Sequence, residues 1–393
     1  GELNVEMDAM DAGATRFHAR SIRIADTRVD MSTTPGPSTP DTYPALTNPL
    51  EGLDIDLRKL GLDNVVFTLT DAVSHDSLWV HVGTGDLEVD SLVFARQQMR
   101  FASVALTDAH FGTLTKDTLV QGELTSAPPP WLDQHDGFRY WARGLDIAVR
   151  ELAIDGGNIQ MHQGTILPAR ELVDPDHMDY RAIHLRAEDL AFNDRTVTAY
   201  IGDLEATGAG DAVLHASVRV DVLPSLVRIS DGRVALNNTE VRFAATAAPG
   251  DMTNAYRAPK EVPLSVRVSS SVDLAQLQGL LDQFAVVLPQ PIHANEVWNT
   301  QVAFRGTAQR ADTLRVDIIG DQGTILHMDG DAQDLSNIPN SAFRADVREI
   351  AMGTGIHDIV TPYWPADVPL PVRLTGSVRL NGSSAGMKGD LDL

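Results

Sequence analysis

The chain of 393 residues contains no cysteine. That removes disulfides, thiolate nucleophiles and cysteine-bound zinc or iron–sulfur centres together, and it fits either a reducing compartment or an oxidising one where stray thiols are avoided. Long apolar runs are missing as well. No stretch approaches the roughly 20 residues of a membrane-spanning helix, and no charged-then-apolar signal segment opens the chain. Positive charge is scarce: Lys plus Arg number 31 against 54 Asp plus Glu, a formal charge of −23. A protein that tracks phosphates shows the opposite balance, so nucleic acid is not an expected partner. The lysines, Lys59, Lys116, Lys260 and Lys388, are never followed by Ser or Thr, which excludes a P-loop.

What is present is repetition. LDIDLRKLGLDNVVFTLT, Leu53 to Thr70, returns as LDIAVRELAIDGGNIQMH, Leu145 to His162, with Leu, Asp, Ile, Arg, Leu and Asp at matching offsets. A repeat this long points to architecture first. At 43% hydrophobic residues the chain can bury a core, but it is too long for one ordinary compact domain. Several domains or an elongated array are expected. Both ends look internal, since Gly1 opens a patterned GELNVEMDAM and LDL at Leu391 to Leu393 has strand character; the expectation is a fragment whose targeting and anchoring parts lie outside it.

Within the first copy the apolar residues are Leu53, Ile55 and Leu57, then Leu60 and Leu62, then Val65, Phe67 and Leu69. Spacing two is the strand period, with one apolar and one polar face. The phase slips at Arg58-Lys59 and again at Asp63-Asn64. Asp63-Asn64, like Asp155-Gly156 in the second copy, has turn chemistry, so each phrase is expected to be a hairpin: bulged strand, tight turn, strand. The second copy offers Ile147, Val149, Leu152, Ile154, Ile159 and Met161 for the same strip. Arg20 to Met31 is read the same way around Asp26-Thr27. Val227 to Phe243 is read as three strands joined at Asp231-Gly232 and Asn237-Asn238, with Val227, Ile229, Val234, Leu236, Val241 and Phe243 apolar.

Strands about every 8–12 residues make a meander of roughly 30, on the order of 100 Å if uninterrupted. That length favours a solenoid or half-pipe over a closed barrel or sandwich. Repeat units are expected at 53–144 and 145–250, a helix-plus-sheet unit at 271–333 and a partial one at 334–393. Pro-rich or polar loops are expected at 32–49, 126–130 and 248–263. Leu274, Leu277, Leu280, Leu281 and Phe284 follow helical spacing, with Ser271 as N-cap. Trp298 to Gln309 and Leu374 to Ala385 form a looser repeat, in which Val302 and Phe304 continue the apolar strip.

Motifs for chemistry are weak. Gly382-Ser383-Ser384-Ala385-Gly386 matches a serine-hydrolase elbow, but the following MKGDLDL is strand-like and no histidine comes after it, so a turn is favoured. Asp329 to Asp334 starts like a calcium loop but lacks its Gly and Glu, so an acidic turn is favoured. Asp174-Pro175-Asp176-His177 could seed a metal site with His162 or His184. No pair of the 12 histidines has zinc-type helical spacing, and a solvated loop is the blander reading. No catalytic residue, metal ligand or cofactor is nominated.

The segments LDIDLRKLGLDNVVFTLTD, SLWVHVGTGDLEVDSLVF and QQMRFASVALTDAHF resemble the TamB family of the AsmA-like superfamily of bacterial envelope proteins. So do Val173 to Ala206, the helical segment DLAQLQGLLDQFAVVLPQPI with the strand after it, and Asp334 to Val360 with LPVRLTGSVRLNGS. The resemblance covers most of the chain through loose patterns. It implies an all-β fold, an elongated repetitive antiparallel sheet curled into a half-pipe with an apolar interior and an occasional short helix. It also implies a periplasmic location, an inner-membrane anchor outside this sequence, a TamA-like outer-membrane barrel as partner, phospholipid acyl chains as cargo along the apolar strip, and no catalytic residues. The main alternative is a β-solenoid or sandwich serving as a surface adhesin or carbohydrate-binding scaffold.

Overall fold

In the computed structural model the described residues are 1–11, 16–33, 54–71, 76–93, 97–115, 132–133, 137–138, 146–164, 177–208, 213–236, 239–276, 296–334, 342–353, 373–383 and 386–392, with isolated positions between 355 and 369. They form two compact units, Gly1–Pro224 and Ser225–Leu393. The fold is all-β.

Unit 1 contains β1 (Glu2–Asp11), β2 (Arg16–Thr33), β3 (Asp54–Asp71), β4 (Ser77–Val93), β5 (Gln98–Thr115), β8 (Asp146–Gln163), β9 (His177–Asn193), β10 (Val197–Thr207) and β11 (Val213–Leu223). A separate two-residue pair, β6 (Leu132–Asp133) and β7 (Gly137–Phe138), lies between β5 and β8 in sequence. The nine long strands pair in chain order. The strands reach 18 residues.

Two pairings are parallel, β2 with β3 and β5 with β8; the others are antiparallel. The expected uniform antiparallel meander is therefore corrected at these two junctions. They coincide with the written repeat. Each copy of the phrase, β3 and β8, takes a parallel neighbour on one side and starts an antiparallel run, β3-β4-β5 and β8-β9-β10, on the other. The chain between the parallel partners, 34–53 and most of 116–145, lies outside the described residues, as do the expected loops there.

Unit 2 is a nine-stranded antiparallel meander: β12 (Leu226–Leu236), β13 (Thr239–Ala247), β14 (Leu264–Asp273), β15 (Val297–Gly306), β16 (Arg310–Gly320), β17 (Ile325–Gln333), β18 (Ala342–Ala351), β19 (Arg373–Ser383) and β20 (Gly386–Asp392). Among the described residues neither unit closes on itself, since no pairing joins β1 to β11 or β12 to β20.

Several local expectations are overturned. The repeated phrase is not a hairpin. Asn64 and Gly156 stand in the left-handed region, φ 48° and 73°, inside uninterrupted strands, and Asp26 and Asp231 do the same in β2 and β12 at φ 46° and 53°. Asp, Asn and Gly accept that conformation at little cost, whether it makes a turn or a bulge. Longer strands then lower the count from roughly 30 to 20 among the described residues. Asp329 to Gln333 belongs to β17 rather than to an acidic turn.

Ser271 lies in β14, and the helix after it begins at Leu274, where the Asp273 carboxylate accepts from Ala275 N at 3.0 Å and acts as the cap. Residues 277–284 lie outside the described residues. The 248–263 loop contains a short helix, α1 (Met252–Arg257), and one 3-10 turn at Pro259–Glu261. Gly382 to Gly386 sits where β19 and β20 pair as a hairpin, Ser383 opposite Gly386, and a strand follows the serine where a hydrolase needs a helix.

Candidate functional site: one apolar face carried across each unit

Residues in register on neighbouring strands share a face, so the pairings define transverse rows. In unit 1 one row runs through all nine long strands as Val5, Ile22, Leu60, Leu87, Val104, Leu152, Ala187, Ile201 and Val218. Next to it run Leu3, Ile24, Leu62, Gly85, Leu106, Ile154, Leu185, Leu204 and Ala216, with Leu62 and Leu106 filling the space above Gly85. Farther along the strands Val29, Phe67, Val80, Phe111, Ile159 and Tyr180 line up, and burial raises the Tyr180 phenol above its usual range. Toward the other end of the strands Leu92, Met99, Ile147, Phe192, Val197 and Val222 form a further row.

Two lines of bulges explain how one face stays apolar along strands this long. Asp26 and Asn64, then Gly83, Asp108 and Gly156, occupy one line across β2, β3, β4, β5 and β8, and Ala182 at φ 49° extends it into β9. The other passes through Arg20, Arg58, Asp90, Ala102, Arg150 and Asp189. An extra residue flips the side-chain phase, and the sequence slips by one at the same place. The two shifts cancel. The apolar face therefore reads Leu57, Leu60, Leu62, Val65, Phe67, Leu69 in β3 and Ile147, Val149, Leu152, Ile154, Ile159, Met161 in β8.

Unit 2 repeats the arrangement. Phe243, Val268, Val302, Val316, Met328 and Val347 form one row across β13 to β18, and Ala245, Val266, Phe304, Leu314, Gly330 and Ala345 form the next. Ser270 and Thr300 also fall on this face, where their hydroxyls hydrogen-bond each other at 2.5 Å.

These rows are only partly covered. Leu57, Ile154 and Leu236 are buried, whereas Ile159 and Met161 are 37% and 43% exposed and Leu3 and Met31 exceed 50%. Leu60, Leu62, Phe67, Leu69, Ile147, Val149, Leu152, Val227, Ile229, Val234, Val241, Phe243, Val302 and Phe304 are half-buried. Ile55 lies in β3 without a described side chain, and Leu53 lies outside the described residues. The buried apolar cluster among the described residues is small: Leu274 and Trp298, flanked by Ile318, Leu326, Ile350 and Met352.

Sequence reasoning named strips on β3, β8, β12, β13 and β15 and read Arg20 to Met31 of β2 the same way, but missed their partners on β1, β4, β5, β14 and β16. The same two-residue spacing was available there, in Leu78, Val80, Val82 and in Val266, Val268, for example. Without the register nothing joined them into rows.

The opposite face is charged. Arg23 to Asp63 at 2.7 Å, Arg150 to Asp90 at 2.8 Å and Arg186 to Asp155 at 3.0 Å are exposed ion pairs of unit 1. Hydrogen bonds from His184 and then Arg186 hold the Asp155 carboxyl below its usual range. In unit 2 the charged face carries a depression of about 1050 Å³ lined by Arg242, Arg315, Asp317, His327, Asp329 and Arg348 among others. Its cations are matched: Arg242 with Glu240, Arg315 with Asp317 and Arg348 with Asp329. His327, then Arg315, holds the Asp317 carboxyl below its usual range.

One ionisable group is buried for structural reasons. Glu296, just before β15, is fully enclosed and accepts hydrogen bonds from Thr324 N at 3.1 Å, Thr324 Oγ1 at 2.8 Å and Gly355 N at 2.8 Å. Gly320 and Gly355 make room for it, because a Cβ at either would strike the carboxylate. Burial alone pushes the carboxyl up; the Gly355 and Thr324 donors outweigh it, and the group stays below its usual range.

Of the histidines considered for a metal, His184 hydrogen-bonds Asp155 at 3.2 Å, while His162 and His177 face each other across β8 and β9. His177 thus belongs to a strand and not to a loop; Asp174 and Asp176 lie outside the described residues. No group of three or more His, Asp or Glu side chains set to hold a metal occurs among the described residues, and no helix among them is long and apolar enough to cross a membrane. Comparison of the chain with models of protein families, with curated proteins and with solved structures returns no match.

Proposed function

We propose that this chain is a stretch of a periplasmic conduit that carries phospholipid between the inner and outer membranes of a bacterial envelope, its acyl chains lying against the apolar rows. The observation that carries the reading is the incomplete cover of those rows: a continuous apolar face crosses nine strands in unit 1, yet Ile159, Met161, Val29 and Met31 stay more than a third exposed. Contiguous exposed apolar surface marks an interaction site.

Nine strands at about 4.8 Å give a row on the order of 40 Å, longer than the roughly 15 Å half-thickness of a bilayer's hydrocarbon core. Each acyl CH₂ brought against such a face contributes about 0.8 kcal/mol, which offsets the loss of bilayer contacts. Rows of Val, Leu and Ile repeated strand after strand present equivalent positions, so a tail meets no deep trap as it advances. In this reading an inner-membrane anchor and a TamA-like outer-membrane barrel are partners of the full-length protein, and no catalysis is assigned.

The test is lipid retention. Val316→Asp in unit 2 and Ile159→Asp in unit 1 are expected to abolish phospholipid that co-purifies with the wild-type chain while strand content persists, because Val316 is only half-buried and Ile159 is 37% exposed. Loss of folding without a separate loss of lipid binding contradicts the conduit and supports a filled core of the adhesin type.

A further inference from the structure

Two imidazoles meet on the charged face at the end of the repeat. His162 is the next-to-last residue of β8 and His177 opens β9, and the register sets them directly opposite, with ring centres 5.8 Å apart and planes at 45°. His162 is only 5% exposed, and neither of its nitrogens has a hydrogen-bond partner. Two residues beyond His177 on the same face, Asp179 keeps Oδ1 buried in the same condition. A buried polar atom without a partner costs about 1–3 kcal/mol, and such atoms in native proteins usually mark a bound water or ion.

The contrast with the neighbouring histidine pair is informative. His81 and His110 also stack across strands, at 5.5 Å, but their nitrogens are engaged by Asn64 at 3.3 Å and Asn158 at 3.0 Å. His162 has no such asparagine.

We propose that His162 and His177 form a cross-strand site for a divalent transition-metal ion of the zinc class. Neutral imidazole is the usual nitrogen ligand for such ions. At Zn–N distances of about 2.0–2.1 Å, two rings sharing one ion have centres about 5–6 Å apart, the separation found here. Water supplies the remaining positions, which makes the site open and its affinity modest. The bound ion ties the end of β8 to the start of β9.

Calorimetric titration of the untagged, chelator-treated chain with Zn²⁺ tests this, with far-UV circular dichroism as the fold control. One saturable equivalent is expected, with a raised unfolding temperature. His177→Gln, on a half-buried side chain, is expected to abolish that equivalent with the strand signal intact; His162→Gln should do the same, and His81→Gln should leave it unchanged. The proposal is overturned if the wild-type chain shows no saturable heat up to about 1 mM Zn²⁺, which would mean that water satisfies His162. It is equally overturned if folded His177→Gln still binds one equivalent.

Discussion

Glu296 shows how a single residue can hold one end of a sheet together while leaving no trace in local sequence pattern. A glutamate just before an apolar strand looks solvent-facing; what buries it is the approach of Thr324 and Gly355, 28 and 59 residues away. Truncation to Ala leaves three donors unpaired and is expected to cost about 2–4 kcal/mol in urea unfolding. The pH dependence has a definite sign. Because the folded carboxyl sits below its usual range, its contribution is present above the unfolded pKa and is lost as pH falls through the folded value. Acid unfolding of the wild-type chain should thus include a steep loss of unit 2 stability below about pH 4, and Glu296→Gln should flatten it. A wild-type curve indistinguishable from that of the variant contradicts this role.

At the scale of the element, bulges and turns use the same residues. Asp63-Asn64 and Asp155-Gly156 have the composition of a hairpin turn, yet they lie within 18-residue strands. The two outcomes differ only in whether the chain after the left-handed residue pairs back on itself or continues alongside a neighbour, and that is decided by β2, β4, β5 and β9 rather than locally. The phase slips themselves were legible, and so was the apolar set they imply. Leu57, Leu60, Leu62, Phe67 and Leu69 share a face either way, since the bulge restores what the slip would undo. The two parallel junctions were not legible, because alternation carries no information about strand direction. Asn64→Ile, which puts a β-branched residue at φ 48°, should cost about 1–2 kcal/mol. Deletion of Asn64 should cost about 3 kcal/mol or more, because it sends Phe67 and Leu69 to the charged face. Equal stability of the deletion and wild type in urea would mean that the bulge does not set the phase.

Over the whole molecule, both units solve the same problem in the same way. Each keeps one apolar face running from strand to strand, across all nine long strands in unit 1 and from β13 to β18 in unit 2, and in unit 1 the repeated phrase supplies two strands of that face. The all-β class was legible from the two-residue period, and the resemblance to envelope proteins supplied the expectation of an open face. Continuity of that face became visible only when the register joined Val5 to Val218 and Phe243 to Val347. The central claim is that lipid lies against these rows. The most direct measurement is site-specific photo-crosslinking in cells that export the chain to the periplasm, with probes at Ile147, Ile159 and Phe243 on the apolar face and at Arg150 and Arg242 on the charged one, followed by mass analysis of the adducts. Phospholipid attached at the three apolar positions and absent from the two arginine positions is the predicted result. Folded, expressed protein with no lipid at Ile147, Ile159 or Phe243 would contradict the conduit.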